Sequence, residues 1–218
     1  MTRCARDAII FDLDGTLLDT LQDIAGAAND VLIEHGWPIH PVDAYRFFVG
    51  SGVGHLMHCA VPEEYRDTGS DELVTVFRQK YSSKWRNHTK PYHGVPELLD
   101  AAAERGLKMS ILSNKPDHFT REFVAELLPH WHFECVFGRR PDVPRKPDPT
   151  STLEITRAMS ADPSRMLFVG DSAVDMQTAI AAGIFPVGVL WGFRPRSELE
   201  AGGAKALLER PIELVDLL

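Results

Sequence analysis

The chain has 218 residues, 44% apolar and 25% charged, which suits one sizeable soluble domain or one domain carrying a smaller insertion. Its 31 acids exceed its 23 lysines and arginines, and a net charge of -8 without a basic run speaks against nucleic acid or an anionic membrane as partner. Three scattered cysteines (Cys4, Cys59, Cys135) form neither a disulfide framework nor a zinc motif and read as free thiols of a reducing compartment.

The N-terminal "MTRCARDAIIFDLD" lacks the long apolar core of a signal peptide. No apolar run is long enough to cross a bilayer, so a cytoplasmic location is expected. The acidic balance still allows a small anionic substrate, because a few placed cations or a bound metal can invert the local field.

The first strand candidate is "DAIIF", which delivers the chain to Asp12 and Asp14. From Leu17 to Gly36, apolar residues recur at helical spacing (Leu17, Leu21, Ile24, Ala28, Leu32), and Gly36 with Pro38 marks the stop. Up to Lys90 the segments "PVDAYRFF", "VGHLMHCA" and "SDELVTVFRQKYSSKW" read as helices parted by Gly and Pro. Beyond Pro91, helix-like segments alternate with the apolar runs "LKMSILSN", "FECVFG", "RMLFVGDS" and "FPVGVLWG". A last run, "AKALLE", leads to "PIELVDLL". That alternation predicts an α/β fold with a Rossmann-like parallel sheet as core, covered on both faces. An all-helical domain over residues 17–90 is inserted between residues 1–16 and 91–218 of the core.

In open parallel sheets ligands bind at the carboxyl ends of the strands. Here those ends read Asp12/Asp14, Ser113/Asn114 and Gly170/Asp171, with Lys146 of "PRKPDP" between two strands. Several acids with one lysine and no histidine suit a hard, oxygen-liganded cation such as Mg2+ rather than zinc.

The ordered motifs "DLDGT", "LSNK", "RKPDP" and "GDSAVD" resemble the four motifs of the haloacid dehalogenase superfamily, over nearly the whole chain and including a helical cap after the first motif. "GTLLDT", "PYHGVPELL", "SNKP", "DMQTAIAAG" and "VLWGFR" resemble its phosphoglycolate phosphatase-like members. The resemblance implies a Mg2+-dependent phosphatase for a small phosphorylated metabolite. Asp12 would be the nucleophile and a metal ligand. Asp14 would be the general acid and base, with its backbone carbonyl on the metal. Gly15, Thr16, Ser113 and the Asn114 amide would hold the phosphoryl group, and Lys146 would pair with both phosphate and Asp12. Asp171 would be the remaining metal ligand, and Asp175 would orient Lys146 or a metal water.

Several of these residues also have a plainer reading. Ser113 and Asn114 could cap the helix at Asp117, and Asp175 could serve a helix N-terminus. Asp19 with Thr20 fits an N-cap better than a ligand. His55 and His58 read as ordinary helix residues, Gly50 to Gly54 as a flexible loop, and Trp85, Trp131 and Trp191 as packing. The acid at Asp14 points to phosphoester chemistry, since dehalogenases and phosphonatases of the superfamily lack it. A β-phosphoglucomutase-type transferase, an inorganic pyrophosphatase and a non-catalytic phosphate-binding protein remain alternatives. Oligomeric state is not legible.

Overall fold

A computed structural model describes residues 6–66 and 70–218, so Cys4 lies outside the described residues. The chain forms two compact units, one from Met1–Leu18 with Pro91–Leu218 and the other from Asp19–Lys90.

The first unit is the expected parallel-sheet core. Its strands are β1 (Ala8–Phe11), β4 (Lys108–Pro116), β5 (Cys135–Arg139), β6 (Met166–Gly170), β7 (Phe185–Val189) and β8 (Ala206–Leu208). They pair in parallel in the order β5-β4-β1-β6-β7-β8. β1 is fully buried, which explains its unbroken apolar text "AIIF". The crossovers are α4 (Val95–Glu104), α5 (Asp117–Leu127), α6 (Thr150–Ala158), α7 (Ala173–Ala181) and α8 (Arg196–Gly202). Ile10, Leu112 and Phe168 of the sheet pack with Ile155, Met159 and Ala179 from α6, its C-terminal end and α7. Of the closing apolar stretch only Ala206–Leu208 is strand, and Pro211–Leu217 coils as a 3-10 helix.

Taken in chain order, the sheet runs outward from β1 through β4 to β5, then restarts on the other side of β1 with β6. The reversal between β1 and β6 is where an open α/β sheet binds its ligand.

The inserted unit is helical: α1 (Leu21–Glu34), α2 (Val53–Ala60) and α3 (Ser70–Lys84), with 3-10 turns at Val42–Phe47 and Glu63–Tyr65. The two crossings of the chain, β2 (Leu18–Asp19) and β3 (Lys90–Pro91), pair as a short ribbon. Inside the insertion, Asp23 in the first turn of α1 is buried, and its Oδ2 accepts from His88 N (2.9 Å), Thr89 N (2.8 Å) and Thr89 Oγ1 (2.8 Å). One carboxylate thereby ties the start of the insertion to its end.

The α1 cap differs from the sequence reading. Helix begins at Leu21, and Thr20 sits at the cap position with helical backbone angles and no side-chain cap bond. Asp19 belongs to β2, and only a long contact of 3.4 Å joins its Oδ1 to Leu21 N. A capping side chain reaches the helix amides from extended backbone, which Thr20 does not have. The region read as a flexible loop includes Gly52, which precedes α2. Cys59 and Cys135 are free thiols. No helix among the described residues is long and apolar enough to cross a membrane.

Candidate active site

β1 and β6 are neighbours in register, Phe11 opposite Val169, and Asp12 N continues the ladder to Val169 O at 2.9 Å. The residues that follow the two strands, Asp12 and Asp171, therefore leave the sheet side by side at its reversal point. β4 flanks β1 on the other side and brings Ser113 and Asn114 to the same rim.

Asp12, Asp171 and Asp175 are buried and each offers a carboxylate oxygen within 4.8 Å of the others. Among the described residues this is the group of acids, histidines or cysteines that could hold a cation. Packing three acids out of water is unfavourable to their charged forms. Burial pushes the Asp12 carboxyl up to about 7 against the pull of Lys146, with the charges of Asp175 and Asp14 adding to the rise. Burial, then Asp12 and Asp175, also raise Asp171 well above the usual carboxylate range. A hard divalent cation bound by carboxylate oxygens supplies the positive charge that this donor set lacks.

Lys146 is the interior counter-charge. Its Nζ donates to Asp12 Oδ1 (2.8 Å), Asp175 Oδ1 (2.7 Å) and the Leu112 carbonyl (3.0 Å), so its ammonium is fully used. Burial disfavours that charge, but Asp12 and Asp175 outweigh it and hold the lysine protonated.

Asp175 is occupied on both oxygens. Oδ1 takes Lys146, and Oδ2 accepts from Ser172 N (3.1 Å) and Ser172 Oγ (2.6 Å) in the capping box that opens α7. It thus joins its helix-terminal reading to the orientation of Lys146. A Cβ on Gly170 would lie 2.3 Å from Asp175 Cβ, so only glycine lets α7 begin this close to β6.

The turn after β1 is held by Gly15 N donating to Leu18 O (2.9 Å) and Thr16 N donating to Leu13 O (3.3 Å). These amides are engaged within the turn, whereas Thr16 Oγ1 is buried and has no hydrogen-bond partner among the described residues. The hydroxyl is the Thr16 group left for a ligand, and Gly15 contributes shape. Its φ is +87°, and a Cβ there would lie 2.2 Å from Asp171 Oδ2.

Ser113 and Asn114 are not helix caps, because Pro116 occupies the position before α5 and makes no side-chain cap bond. Ser113 Oγ accepts from Lys115 N at 3.2 Å. The Asn114 side chain clamps Lys146 on both backbone groups: Oδ1 accepts from Lys146 N (3.0 Å) and Nδ2 donates to Lys146 O (3.2 Å). That clamp commits both polar atoms of the Asn114 side chain to Lys146.

Three contributors escape a reading of the sequence. Lys115 donates to both oxygens of Asp14, at 3.0 and 3.1 Å. Its only local signal is its place directly after Ser113 and Asn114. Trp191 is more than packing, since its indole N–H donates to the Thr16 carbonyl at 2.9 Å. Phe193 N donates to Asp171 Oδ2 at 2.7 Å, so the chain after β7 braces both the first turn and a member of the acid group. His55 lies 3.5 Å from Cys59 Sγ, and neither histidine of α2 belongs to a candidate metal group among the described residues. Trp85 is fully buried, and Trp131 donates to Asp100.

Known proteins share this arrangement of the chain. The model of the haloacid dehalogenase-like hydrolase family matches residues 9–189. A phosphoglycolate phosphatase of Aquifex aeolicus is 31% identical over 210 residues, 96% of this chain and 95% of that protein. An N-acetylmuramic acid 6-phosphate phosphatase of Pseudomonas aeruginosa is 33% identical over 225 residues, covering 100% and 97%. A solved structure from Lactobacillus delbrueckii subsp. bulgaricus superposes with a TM-score of 0.91 at 27% identity, with 98% of each chain covered. With the acid group at the reversal point of a parallel sheet and a family match across most of its length, the chain belongs to the haloacid dehalogenase-like hydrolases.

Proposed function

We propose that the chain is a Mg2+-dependent phosphatase that hydrolyses a small phosphomonoester through an aspartyl-phosphate on Asp12, with 2-phosphoglycolate the first substrate to test. The observation that carries this reading is the state of Asp12. It stands at the sheet's reversal point, with Oδ1 held by Lys146 and grouped with Asp171 and Asp175.

In the first step an Asp12 carboxylate oxygen forms a bond to phosphorus while the bond from phosphorus to the alcohol oxygen breaks. Asp14 gives its proton to the departing oxygen. In the second step Asp14 takes a proton from water as that water attacks phosphorus, which frees Asp12 and releases phosphate. Lys146 offsets negative charge at Asp12, and the Thr16 and Ser113 hydroxyls with the Asn114 amide face the phosphoryl oxygens. Asp12, Asp171 and the Asp14 carbonyl are the groups assigned to the cation, with Asp175 in support. When bound, Mg2+ supplies positive charge that lets a carboxylate approach a phosphate dianion.

The N-acetylmuramic acid 6-phosphate phosphatase relative, matched over the whole chain, favours a second reading in which the alcohol is a larger sugar. Specificity is assigned to the insertion of residues 19–90. The test is a panel of 2-phosphoglycolate, N-acetylmuramic acid 6-phosphate, glucose 1-phosphate, pyrophosphate and nucleoside monophosphates, each with and without Mg2+. Asp12→Asn is run beside the wild type. Turnover that needs Mg2+ and vanishes in Asp12→Asn supports the chemistry, and the ranking of kcat/KM names the substrate. Undiminished turnover by Asp12→Asn sinks the proposal.

A further inference from the structure

Four acids crowd the rim: Asp12, Asp14, Asp171 and Asp175. Three of them form the group that fits a cation, and Asp14, although only two residues from Asp12, does not belong to it. Lys146 is committed to Asp12 and Asp175. Lys115 instead donates to Asp14 Oδ1 at 3.0 Å and Oδ2 at 3.1 Å, so one ammonium grips both oxygens of that carboxylate.

Lys115 is itself held in place. Its side chain is 5% exposed and that of Asp14 11%. The ammonium lies 4.4 Å from the centre of the Phe123 ring on α5. Its backbone is tied at both groups, with Lys115 N donating to Ser113 Oγ (3.2 Å) and Lys115 O accepting from Thr120 Oγ1 (3.3 Å). A lysine withdrawn from water this far needs a partner, and an apolar side chain would fill space beside Phe123 without the desolvation cost. A group that must meet one oxygen of a leaving alcohol works only within a narrow geometry, and a misplacement of about 1 Å can cost a factor of about 100.

We propose that Lys115 is a positioning residue that holds the Asp14 carboxyl group apart from the Asp12, Asp171 and Asp175 cluster and aimed at the oxygen of the departing alcohol. The inference rests on the phosphatase reading and on the role of Asp14 in it. Lys115 touches neither phosphorus nor the alcohol, and no proton of Lys115 moves. Two lysines hold three of the four acids: Lys146, on Asp12 and Asp175, serves attack, and Lys115, on Asp14, serves proton transfer.

The test uses the full chain with Mg2+ and follows one turnover with enzyme in excess, comparing an alkyl phosphomonoester with p-nitrophenyl phosphate. The alkoxide needs a proton to leave, and nitrophenolate does not. In Lys115→Met the alkyl ester should react about 100-fold more slowly than in wild type, while nitrophenolate release stays within about threefold. In a separate steady-state assay KM should hardly change, and Lys115→Arg should restore most of the alkyl rate. The ratio of the two rates in one preparation cancels any loss of folded protein. Equal loss on both esters would overturn the inference, as would an unchanged alkyl rate. Asp12→Asn is the control arm: if it still turns over either ester, the phosphatase reading falls. If it is inert while Lys115→Met gives either overturning result, only the positioning role falls.

Discussion

Replacing Asn114 by alanine removes both halves of the clamp on Lys146. Asn114 and Lys146 are 7% and 6% exposed, so water does not readily replace what is lost. The Lys146 N–H loses an acceptor at 3.0 Å and its carbonyl loses a donor at 3.2 Å. Each buried backbone group left without a partner costs roughly 1–3 kcal/mol, so the variant should be about 2–6 kcal/mol less stable. That is a large share of the 5–15 kcal/mol or so that holds a typical domain together. The backbone of Lys146 also fixes where its ammonium meets Asp12, so kcat should fall by about 100-fold with a smaller change in KM. Urea unfolding of the metal-free protein reads the first effect, and steady-state kinetics on the best substrate of the panel reads the second. A variant that loses less than about 1 kcal/mol and keeps its kcat would show that the clamp does not hold Lys146 in place.

Stability of the metal-free protein should fall as pH rises from about 4 to about 7. Asp12 binds its proton more tightly in the fold, at about 7 against an ordinary 3.8, so its contribution is full below about pH 4 and is lost on approach to 7, and Asp171 is raised in the same direction. Mg2+ should raise the melting temperature more at the upper end of that window. A melting temperature that climbs with pH there, or a cation effect independent of pH, would contradict the account. Gly170→Ala puts a methyl group 2.3 Å from Asp175 Cβ, and Asp175 is pinned by Ser172 and Lys146. A loss of about 1–3 kcal/mol in chemical denaturation together with reduced turnover is expected. Wild-type stability and activity in that variant would show that α7 yields freely.

The parts of the site legible in the sequence are those that follow from strand ends. Asp12 and Asp171 each end an apolar run, and parallel strands place their carboxyl ends on one rim, so their meeting needs only the sheet. What was not legible depends on where a side chain points after folding. Lys115 and Asp14 lie far apart in the chain, and no local pattern tells that one ammonium spans both oxygens of the other. The Asn114 clamp is of the same kind, because an asparagine at a strand end equally suits a cap or a ligand. Trp191 read as packing for want of any signal that its N–H meets the Thr16 carbonyl. The cap of α1 failed for a backbone reason: Thr20 has the right chemistry but helical angles.

The strand order also bears on how the chain becomes a protein. β1 precedes the other strands of its sheet in the chain, yet it lies in the middle of the sheet, where Ala8 pairs with Lys108 on one side and Met166 on the other. Leaving the ribosome, β1 has no neighbour until the whole insertion and α4 have followed it. The insertion, Asp19–Lys90, is one uninterrupted stretch whose two ends are tied by Asp23. Contacts close in sequence form sooner than those that must close long loops. The insertion is therefore set to fold while β1 waits, and the acid group of the site comes into being only when β6 and the start of α7 join β1.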